Sequence, residues 1–374
     1  MKKSTLFICI ILVILLSSLS ISSAQIRLFT GTYTEGTQKG LFIFDLDAEA
    51  GTFKLLSGND AGPNPSYFCF SKKNGFIYAA NEVGDFNGVK GGGVTALDYD
   101  AKTGVAKKIG ELAVPNGGPA YIAISPGDDY LFLANYSGGS VAVVRLNEKG
   151  IPVSVTDIII YKGEEGTESH AHMVSFDPSG KRVYVTDLGL DRIVIYDFDA
   201  EKGKLNQIPN GIARLAKGAG PRHFVFNTDG SKMYVINELN STITFFNVNM
   251  NGELQELQTV STLREGFKGK SYCADIHLGK NDEFLYGSNR GENTIVTYKV
   301  APDGKLTLAG HTTCGGDWPR NFVIDPSGKY LLAGNQNSGN ISMFCIDEKT
   351  GLPVVPSKDY KIASPVCLKF SELK

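Results

Sequence analysis

Two charged residues flank a β-hairpin predicted near the middle of the chain, one near the start of its first strand and one just after its second strand. Arg222 follows Gly-Pro at the start of an apolar segment, and Glu238 follows Asn at the end of the next one. The Asn-Thr-Asp-Gly stretch at 227–230 is typical of a tight turn, so the two segments form antiparallel strands. We therefore expect Arg222 and Glu238 to be neighbours. They would form either a structural ion pair or a carboxylate held ready for acid–base chemistry.

The same hairpin recurs along the chain at intervals of about 50 residues. Each copy is followed by a third apolar segment and, in most copies, by a fourth. Four strands per unit of this length are typical of β-propeller blades, whereas helical solenoids need a 3.6-residue periodicity that this chain lacks. The six complete hairpins close on Asn81, Asn135, Asp187, Asn237, Asn289 and Asn335.

The two ends of the chain supply a seventh unit. Residues 26–30, 41–46 and 53–57 have the pattern of the second, third and fourth strands of a blade without its innermost strand. Residues 364–370 have the pattern of a lone first strand. We therefore predict an all-β fold, a seven-bladed β-propeller closed by pairing the C-terminal strand with the N-terminal blade, in one domain of residues 25–374.

Residues 1–24 are predicted to be a cleavable secretory signal peptide. Lys2 and Lys3 precede an apolar run that is shorter than the roughly 20 residues a transmembrane helix needs, and small residues at 22–24 suit cleavage. We expect an exported protein, periplasmic or secreted, that has no membrane attachment after cleavage.

Composition argues against several classes of partner and cofactor. The formal net charge of −2 becomes −4 without Lys2 and Lys3, with mixed signs throughout, so no nucleic-acid partner is expected. The cysteines are widely spaced and no Cys-x-x-C occurs, which favours buried free thiols. His170 and His172 are spaced as the start of a zinc site, but a third ligand is not indicated. We predict no metal and no cofactor.

The hairpin geometry brings the starts of all first strands and the ends of all second strands to one mouth of the central channel. The Asn and Asp residues there have a structural interpretation, because such side chains cap strand ends through hydrogen bonds to the backbone. The convergence of histidines, arginines and a carboxylate favours a functional site. The charged and histidine side chains expected at this mouth are His170, His172, Arg222, His223, Glu238, Asp275, Arg290 and Arg320.

Several stretches resemble the lactonase seven-bladed β-propeller family, over essentially the whole mature chain. The most specific are Gly-Pro-Arg-His at 220–223 and Asn-Glu-Leu-Asn-Ser-Thr at 237–242, and residues 118–122, 187–192 and 288–291 add to the match. This family includes one of the two known types of 6-phosphogluconolactonase and a fungal carboxy-muconate cyclase. The resemblance implies metal-independent hydrolysis of a sugar lactone as a small-molecule substrate.

The resemblance also implies a site made of a histidine, two arginines and a glutamate. Matched by motif, these are His172, Arg222, Glu238 and Arg290, although His170 is an alternative match for the histidine. Either Glu238 or His172 would activate water, and the other would help to protonate the leaving oxygen. The arginines would bind an anionic group or the developing oxyanion. Further residues predicted to bind substrate are His170, His223, Arg320, Asn135, Asp187 and Asn289.

Two other functions remain open at this point. One is the intramolecular cyclisation catalysed by the muconate branch of the family. The other is a non-enzymatic exported propeller that binds a partner or a glycan through an exposed aromatic or apolar face. Four aromatic residues near the mouth leave room for this second alternative: Tyr33, Phe86, Tyr136 and Trp318. The predicted export argues against a phosphorylated substrate, because the pentose phosphate pathway is intracellular.

Overall fold

The computed structural model describes residues 26–34, 39–47, 50–354 and 358–371. In these residues the strands form seven antiparallel sheets arranged as the blades of a propeller, which confirms the predicted fold class. The predicted signal peptide at residues 1–24 lies outside the described residues. Helical structure within the described ranges is a 3₁₀ turn at Lys280–Asp282, and no helix there is long and apolar enough to cross a membrane.

Blades I to VII follow the chain, and the innermost strand of blades II to VII comes first in each. Blade II carries an extra short strand, β6, paired with the start of β7. The strands of blades I to III are β1 (Ile26–Thr32), β2 (Leu41–Asp47), β3 (Thr52–Asn59); β4 (Pro65–Phe70), β5 (Phe76–Asn81), β6 (Asp85–Phe86), β7 (Val89–Asp100), β8 (Val105–Pro115); β9 (Pro119–Ile124), β10 (Tyr130–Asn135), β11 (Ser140–Leu146) and β12 (Pro152–Ile160).

The remaining blades repeat the four-stranded pattern, and the last strand of the chain belongs to blade I. The strands of blades IV to VII, followed by the closing strand, are β13 (Ala171–Phe176), β14 (Arg182–Asp187), β15 (Arg192–Asp199), β16 (Lys204–Arg214); β17 (Pro221–Phe226), β18 (Lys232–Asn237), β19 (Thr242–Val248), β20 (Leu254–Ser261); β21 (Tyr272–Leu278), β22 (Phe284–Arg290), β23 (Thr294–Val300), β24 (Leu306–Thr313); β25 (Pro319–Ile324), β26 (Tyr330–Asn335), β27 (Asn340–Cys345), β28 (Lys358–Lys361) and β29 (Pro365–Phe370).

Burial follows the position of each strand in its blade. The second strand is covered on both faces by neighbouring blades, so every residue of β10 is buried, and its sequence Tyr-Leu-Phe-Leu-Ala is a continuous apolar run. The outermost strand is mostly exposed, and in β20 no residue is fully buried. The core therefore lies between blades, and each blade needs both neighbours to bury its apolar faces.

The two ends of the chain close the ring as predicted. Strand β29 pairs antiparallel with β1, with Thr30 opposite Leu368. Leu368 is 2% exposed and packs in a cluster with Leu28 of blade I and Leu332 of blade VII. The closing strand therefore completes blade I and also fills the interface with blade VII.

The innermost strands share one irregularity near their start. The pairing register shifts between Pro221 and His223 in β17, and an equivalent shift occurs in the innermost strand of each of the other six described blades. A β-bulge of this kind re-aims side chains, and two residues of the bulged strand then oppose one residue of the partner. Two consecutive residues, Arg222 and His223, consequently both point towards the propeller axis.

Side chains from several blades meet on that axis. The rings of Tyr67 in blade II and Tyr121 in blade III stack at 3.9 Å. The His223 ring of blade V lies 5.3 Å from Tyr121 and 5.2 Å from His172 of blade IV. The channel below its mouth is therefore occupied by packed aromatic and histidine side chains, which form a floor for anything bound above.

Ring closure can be tested with Leu368→Ala. We expect this substitution to lower the free energy of unfolding by about 3 kcal/mol, because it leaves a cavity between blades I and VII. Urea unfolding followed by tyrosine fluorescence measures the change. Met250→Ala is the control, since Met250 is 98% exposed and its truncation should change stability by less than about 0.5 kcal/mol. Equal effects of the two substitutions would contradict the closing role of β29.

Candidate active site

Glu238 lies between two arginines at the mouth of the channel. Its Oε2 atom accepts a hydrogen bond from Arg222 Nε at 3.0 Å and lies 2.8 Å from Arg290 Nη2. The contact with Arg222 is the one expected from the hairpin in blade V. The contact with Arg290 comes from blade VI, so one carboxylate joins two blades.

A pocket of about 150 Å³ opens above this group. We call it the mouth pocket, and its walls come from one residue in each of blades II to VII. Arg222 does not line the pocket, but it is bonded to Glu238, which does. The residues that line the mouth pocket are Glu82, Tyr136, His172, Glu238, Arg290 and Arg320.

Glu82 provides a second carboxylate to the lining of the mouth pocket. Its Oε2 accepts a hydrogen bond from the Tyr33 hydroxyl at 3.0 Å and lies 3.6 Å from Arg320 Nη2. The Arg320 guanidinium also stands over the Tyr33 ring, 5.5 Å from its centre. Tyr33, which follows β1 of blade I, thus supports two residues of the wall without lining the pocket itself.

Glu82 is not among the site residues expected from the sequence, and Tyr136 is expected there only as an aromatic residue near the mouth. A usable signal was present, because both directly follow the Asn that closes a hairpin, as Glu238 and Arg290 do. The second strand ends at that Asn, and the next residue enters the mouth pocket in four blades. Alignment of this single position across the repeats would have identified all four.

The charges around Glu238 keep it ionised. Burial by itself would raise the pKa of the Glu238 carboxyl, but the charges of Arg290, Arg222 and Arg320 and the hydrogen bond from Arg290 hold that pKa below its ordinary value. Burial and the two other guanidinium groups lower the pKa of Arg222 to about 9. At neutral pH the group therefore consists of one carboxylate and two guanidinium cations.

His172 is neutral in this environment. It is 4% exposed, and burial lowers the pKa of its imidazole well below the ordinary value, helped by the positive charge of Arg222. Its Nδ1 atom is buried and has no hydrogen-bond partner among the described residues. The ring meets Tyr136 edge-on at 5.5 Å.

His223 lies beneath the mouth pocket and is not part of its lining. Its Nδ1 is 2.7 Å from Asp275 Oδ1, and its Nε2 is 3.4 Å from Arg222 Nη1. Asp275 also bonds to His277 Nε2 at 3.0 Å and to the Asn321 side-chain amide. This buried network holds His223 in place, and His223 in turn contacts Arg222 from below.

His170 does not share the orientation of His172, although the two are spaced as neighbours on one face of a strand. Strand β13 begins only at Ala171, so His170 precedes it. The His170 ring stacks on Tyr136 at 4.6 Å, and its Nδ1 lies 3.1 Å from the Tyr136 carbonyl oxygen. The structure therefore places His172 on the wall of the mouth pocket and His170 behind Tyr136.

The predicted binding residues Asn135, Asp187 and Asn289 are fully buried and do not line the mouth pocket. Asn289 Nδ2 donates to the Thr262 carbonyl at 2.8 Å, and Asp187 accepts from the His170 backbone N–H at 3.0 Å. These contacts are the strand-capping bonds of the structural interpretation. After Asn135 and Asn289 they fix the backbone from which the next residue enters the mouth pocket.

Metal ligands do not converge in the part of the chain that the structure describes. Within residues 26–34, 39–47, 50–354 and 358–371, no three His, Cys, Asp or Glu side chains come close enough together to hold a metal ion. The five cysteines in these ranges are free thiols, and four of them are buried.

The buried histidines should make the protein sensitive to acid. Burial and the charge of Arg222 lower the pKa of His223 to about 4, whereas an unfolded chain binds that proton near pH 6.5. The unfolded state then binds more protons between these values, so stability falls as the pH falls, by about 3 kcal/mol from His223 alone. Urea unfolding at several pH values between 7 and 4 measures this slope.

The matched variant for this measurement is His223→Gln, which should show a shallower loss of stability with falling pH. His311→Gln is the control, because His311 lies on the outer strand β24, away from the channel. Its slope should equal that of the unmodified protein. The assignment is wrong if His223→Gln keeps the full slope.

Comparison with known proteins agrees with this architecture. The sequence profile of the family described as "Lactonase, 7-bladed beta-propeller" matches residues 27–370. The 6-phosphogluconolactonase of Bacillus subtilis is 30% identical over 352 residues, which cover 91% of this chain and 97% of the relative. The periplasmic gluconolactonase of Pseudomonas aeruginosa superposes with a TM-score of 0.88 at 29% identity, covering 94% of this chain and 100% of that one.

A structure described as a putative 6-phosphogluconolactonase from Bacteroides fragilis is also similar. It superposes with a TM-score of 0.85 at 33% identity, over 94% of this chain and 99% of that one. The matches span the whole ring of blades, including the N-terminal and C-terminal strands that close it. The chain therefore belongs to the seven-bladed β-propeller lactonase family.

Proposed function

We propose that this lactonase hydrolyses the ring ester of a sugar lactone in the mouth pocket, without a metal ion. The observation that carries the proposal is the ionised Glu238 held between Arg222 and Arg290, with the neutral His172 on the same pocket wall. The named activities of the relatives supply the reaction class, and the pocket supplies groups that suit it.

Glu238 is proposed as the general base. Its Oε2 atom is engaged by both arginines, and the carboxylate lines the mouth pocket, where a water molecule can reach it. Its low pKa makes it a weak base, but it is ionised and fixed in position. Lactones already hydrolyse slowly in water, so a positioned carboxylate and charge stabilisation are sufficient.

His172 is proposed as a neutral hydrogen-bond donor. A buried N–H without an acceptor is more costly than a buried imine lone pair, so the unpartnered Nδ1 favours the tautomer with its proton on Nε2. Because the pKa of His172 is low, the ring donates this hydrogen bond without carrying a charge. The sequence left open which of His172 and Glu238 is the base, and these contacts favour Glu238.

The reaction then proceeds in two steps. Glu238 takes a proton from water, whose oxygen forms a bond to the lactone carbonyl carbon and produces a tetrahedral oxyanion. The guanidinium groups of Arg290 and Arg320 face the mouth pocket and stabilise this negative charge. The bond to the ring oxygen breaks, Glu238 returns the proton to that oxygen, and His172 donates a hydrogen bond to it.

The environment of the four aromatic residues near the mouth favours an enzyme over a binding propeller. Phe86 is buried, Tyr33 donates to Glu82, and the Trp318 ring covers the Arg290 guanidinium at 5.4 Å. Tyr136 forms one wall of the mouth pocket among charged groups. These residues therefore do not form a shared exposed apolar face that could dock a partner.

We also propose that the protein acts outside the cytoplasm. The charged, apolar and small-residue segments of residues 1–24 support this location. A related structure, that of the Pseudomonas aeruginosa gluconolactonase, is described as periplasmic. The mature chain would begin at Gln25, next to the first described strand.

The role of Glu238 is tested by Glu238→Gln. We expect kcat/KM for glucono-δ-lactone to fall on the order of 10²–10³-fold, because an amide cannot take the proton from water. A pH-stat assay with the spontaneous rate subtracted measures this. Glu253→Gln, which changes a half-buried glutamate between the outer strands of the same blade, should retain full activity.

Folding of the Glu238→Gln variant is verified by its unfolding transition. A well-folded variant that keeps activity within threefold of the unmodified protein would exclude Glu238 as the base.

Metal independence is tested by dialysis against EDTA followed by assay in metal-free buffer. We expect unchanged kcat, since the proposed steps use only side chains of the chain. Elemental analysis of the dialysed sample confirms removal. If activity disappears and returns on addition of a divalent cation, the proposed chemistry is wrong.

A further inference from the structure

We propose that the mouth pocket accepts an uncharged sugar lactone and selects against the phosphate ester of the same lactone. This inference rests on the proposed lactonase function and adds a substrate class to it. The names of the relatives include both kinds of enzyme, whereas the pairing of charges in this pocket favours the uncharged substrate.

The charged groups of the mouth pocket are almost balanced. Three guanidinium groups, those of Arg222, Arg290 and Arg320, face the two carboxylates of Glu238 and Glu82. The other titratable groups are neutral at pH 7. Burial raises the pKa of Tyr33 to about 12, and burial lowers the pKa of His172. The four charged residues of the lining cancel, and Arg222, bonded to Glu238 outside the lining, gives the group one net positive charge, which matches the single negative charge of a tetrahedral oxyanion.

The arginines that flank Glu238 are not free to bind a phosphate. Arg290 donates from Nε to the Tyr272 carbonyl at 3.2 Å and from Nη2 to the Cys273 carbonyl at 2.9 Å. Arg222 donates from Nη1 to the Ala274 carbonyl. Both side chains are at least 94% buried. Their planar groups are anchored to the backbone of β21. They can stabilise charge that develops beside Glu238, but they cannot turn away to pair with a separate phosphate group without breaking these bonds.

Arg320 is the remaining cation of the pocket, and it is already paired with the Glu82 carboxylate. The Glu82 carboxylate lies 3.6 Å from Arg320 Nη2 and is held there by the Tyr33 hydroxyl. A phosphate dianion that approached Arg320 would stand beside this carboxylate in a poorly solvated pocket. Like charges at such distances repel strongly where water is excluded. Glu82 is therefore the residue that we assign to substrate selection.

The same groups suit an uncharged polyol. Carboxylates accept hydrogen bonds from sugar hydroxyls, and the Tyr136 hydroxyl can both donate and accept them. A volume of about 150 Å³ is small compared with pockets for drug-sized ligands. The pocket therefore fits a compact, hydroxyl-rich ring better than a ring that carries an additional charged group.

The test compares two substrates of the same enzyme preparation. We expect kcat/KM for glucono-δ-lactone to exceed that for 6-phosphoglucono-δ-lactone, prepared enzymatically just before use, by roughly tenfold or more. Equal or higher kcat/KM for the phosphate ester would overturn the inference and leave the proposed function standing. If neither compound is hydrolysed above the spontaneous rate, the proposed function is wrong and the inference fails with it.

The cause of the selection is tested with Glu82→Gln, which frees Arg320 while keeping the side-chain shape. We expect the ratio of the two kcat/KM values to shift roughly tenfold towards the phosphate ester. Glu111→Gln is the matched control, because it removes a carboxylate on the outer strand β8 of the same blade. Its ratio should equal that of the unmodified enzyme. An unchanged ratio in Glu82→Gln would exclude Glu82 as the selecting residue.

Discussion

The carboxylate shared by Arg222 and Arg290 is the interaction on which the rest of the site depends. Removing such charges from water costs several kcal/mol per ion, so the group persists only where further hydrogen bonds hold it in a fixed geometry. Carbonyl groups of residues 272–274 on β21 accept further hydrogen bonds from both arginines. The position of Glu238 is therefore set by the way blade VI packs against blade V, and that packing requires a closed ring.

The propeller converts one local motif into a ring of different chemical groups. In each complete hairpin a buried Asn or Asp stands at the end of the second strand, and in four blades the following residue lines the mouth pocket. That position holds Glu82, Tyr136, Glu238 and Arg290 in four blades. The bulge at the start of each innermost strand adds a second set, to which Arg222 and His172 belong. Rigid backbone and variable side chains together explain how one repeat supports a specific site.

The electrostatic environment assigns different states to the titratable groups of the pocket. The positive charges of Arg222, Arg290 and Arg320 stabilise the ionised Glu238 and disfavour a proton on His172. A general base and a neutral donor thus coexist on one wall. Lactone opening, as proposed here, needs both and creates a single negative charge, which the slight excess of guanidinium groups can stabilise.

The sequence by itself determined the number of blades, the closing strand and the contact between Arg222 and Glu238. These follow from the repeat length and from one hairpin, whose strand pairing is local and depends on a two-residue periodicity. Only the tertiary structure decided that Arg290 shares the same carboxylate, that Glu82 faces Arg320, and that His172 rather than His170 enters the pocket. Those contacts join residues from different blades, or depend on a bulge and on where a strand begins. They are set by ring closure and the packing between blades, which no local pattern of residues encodes.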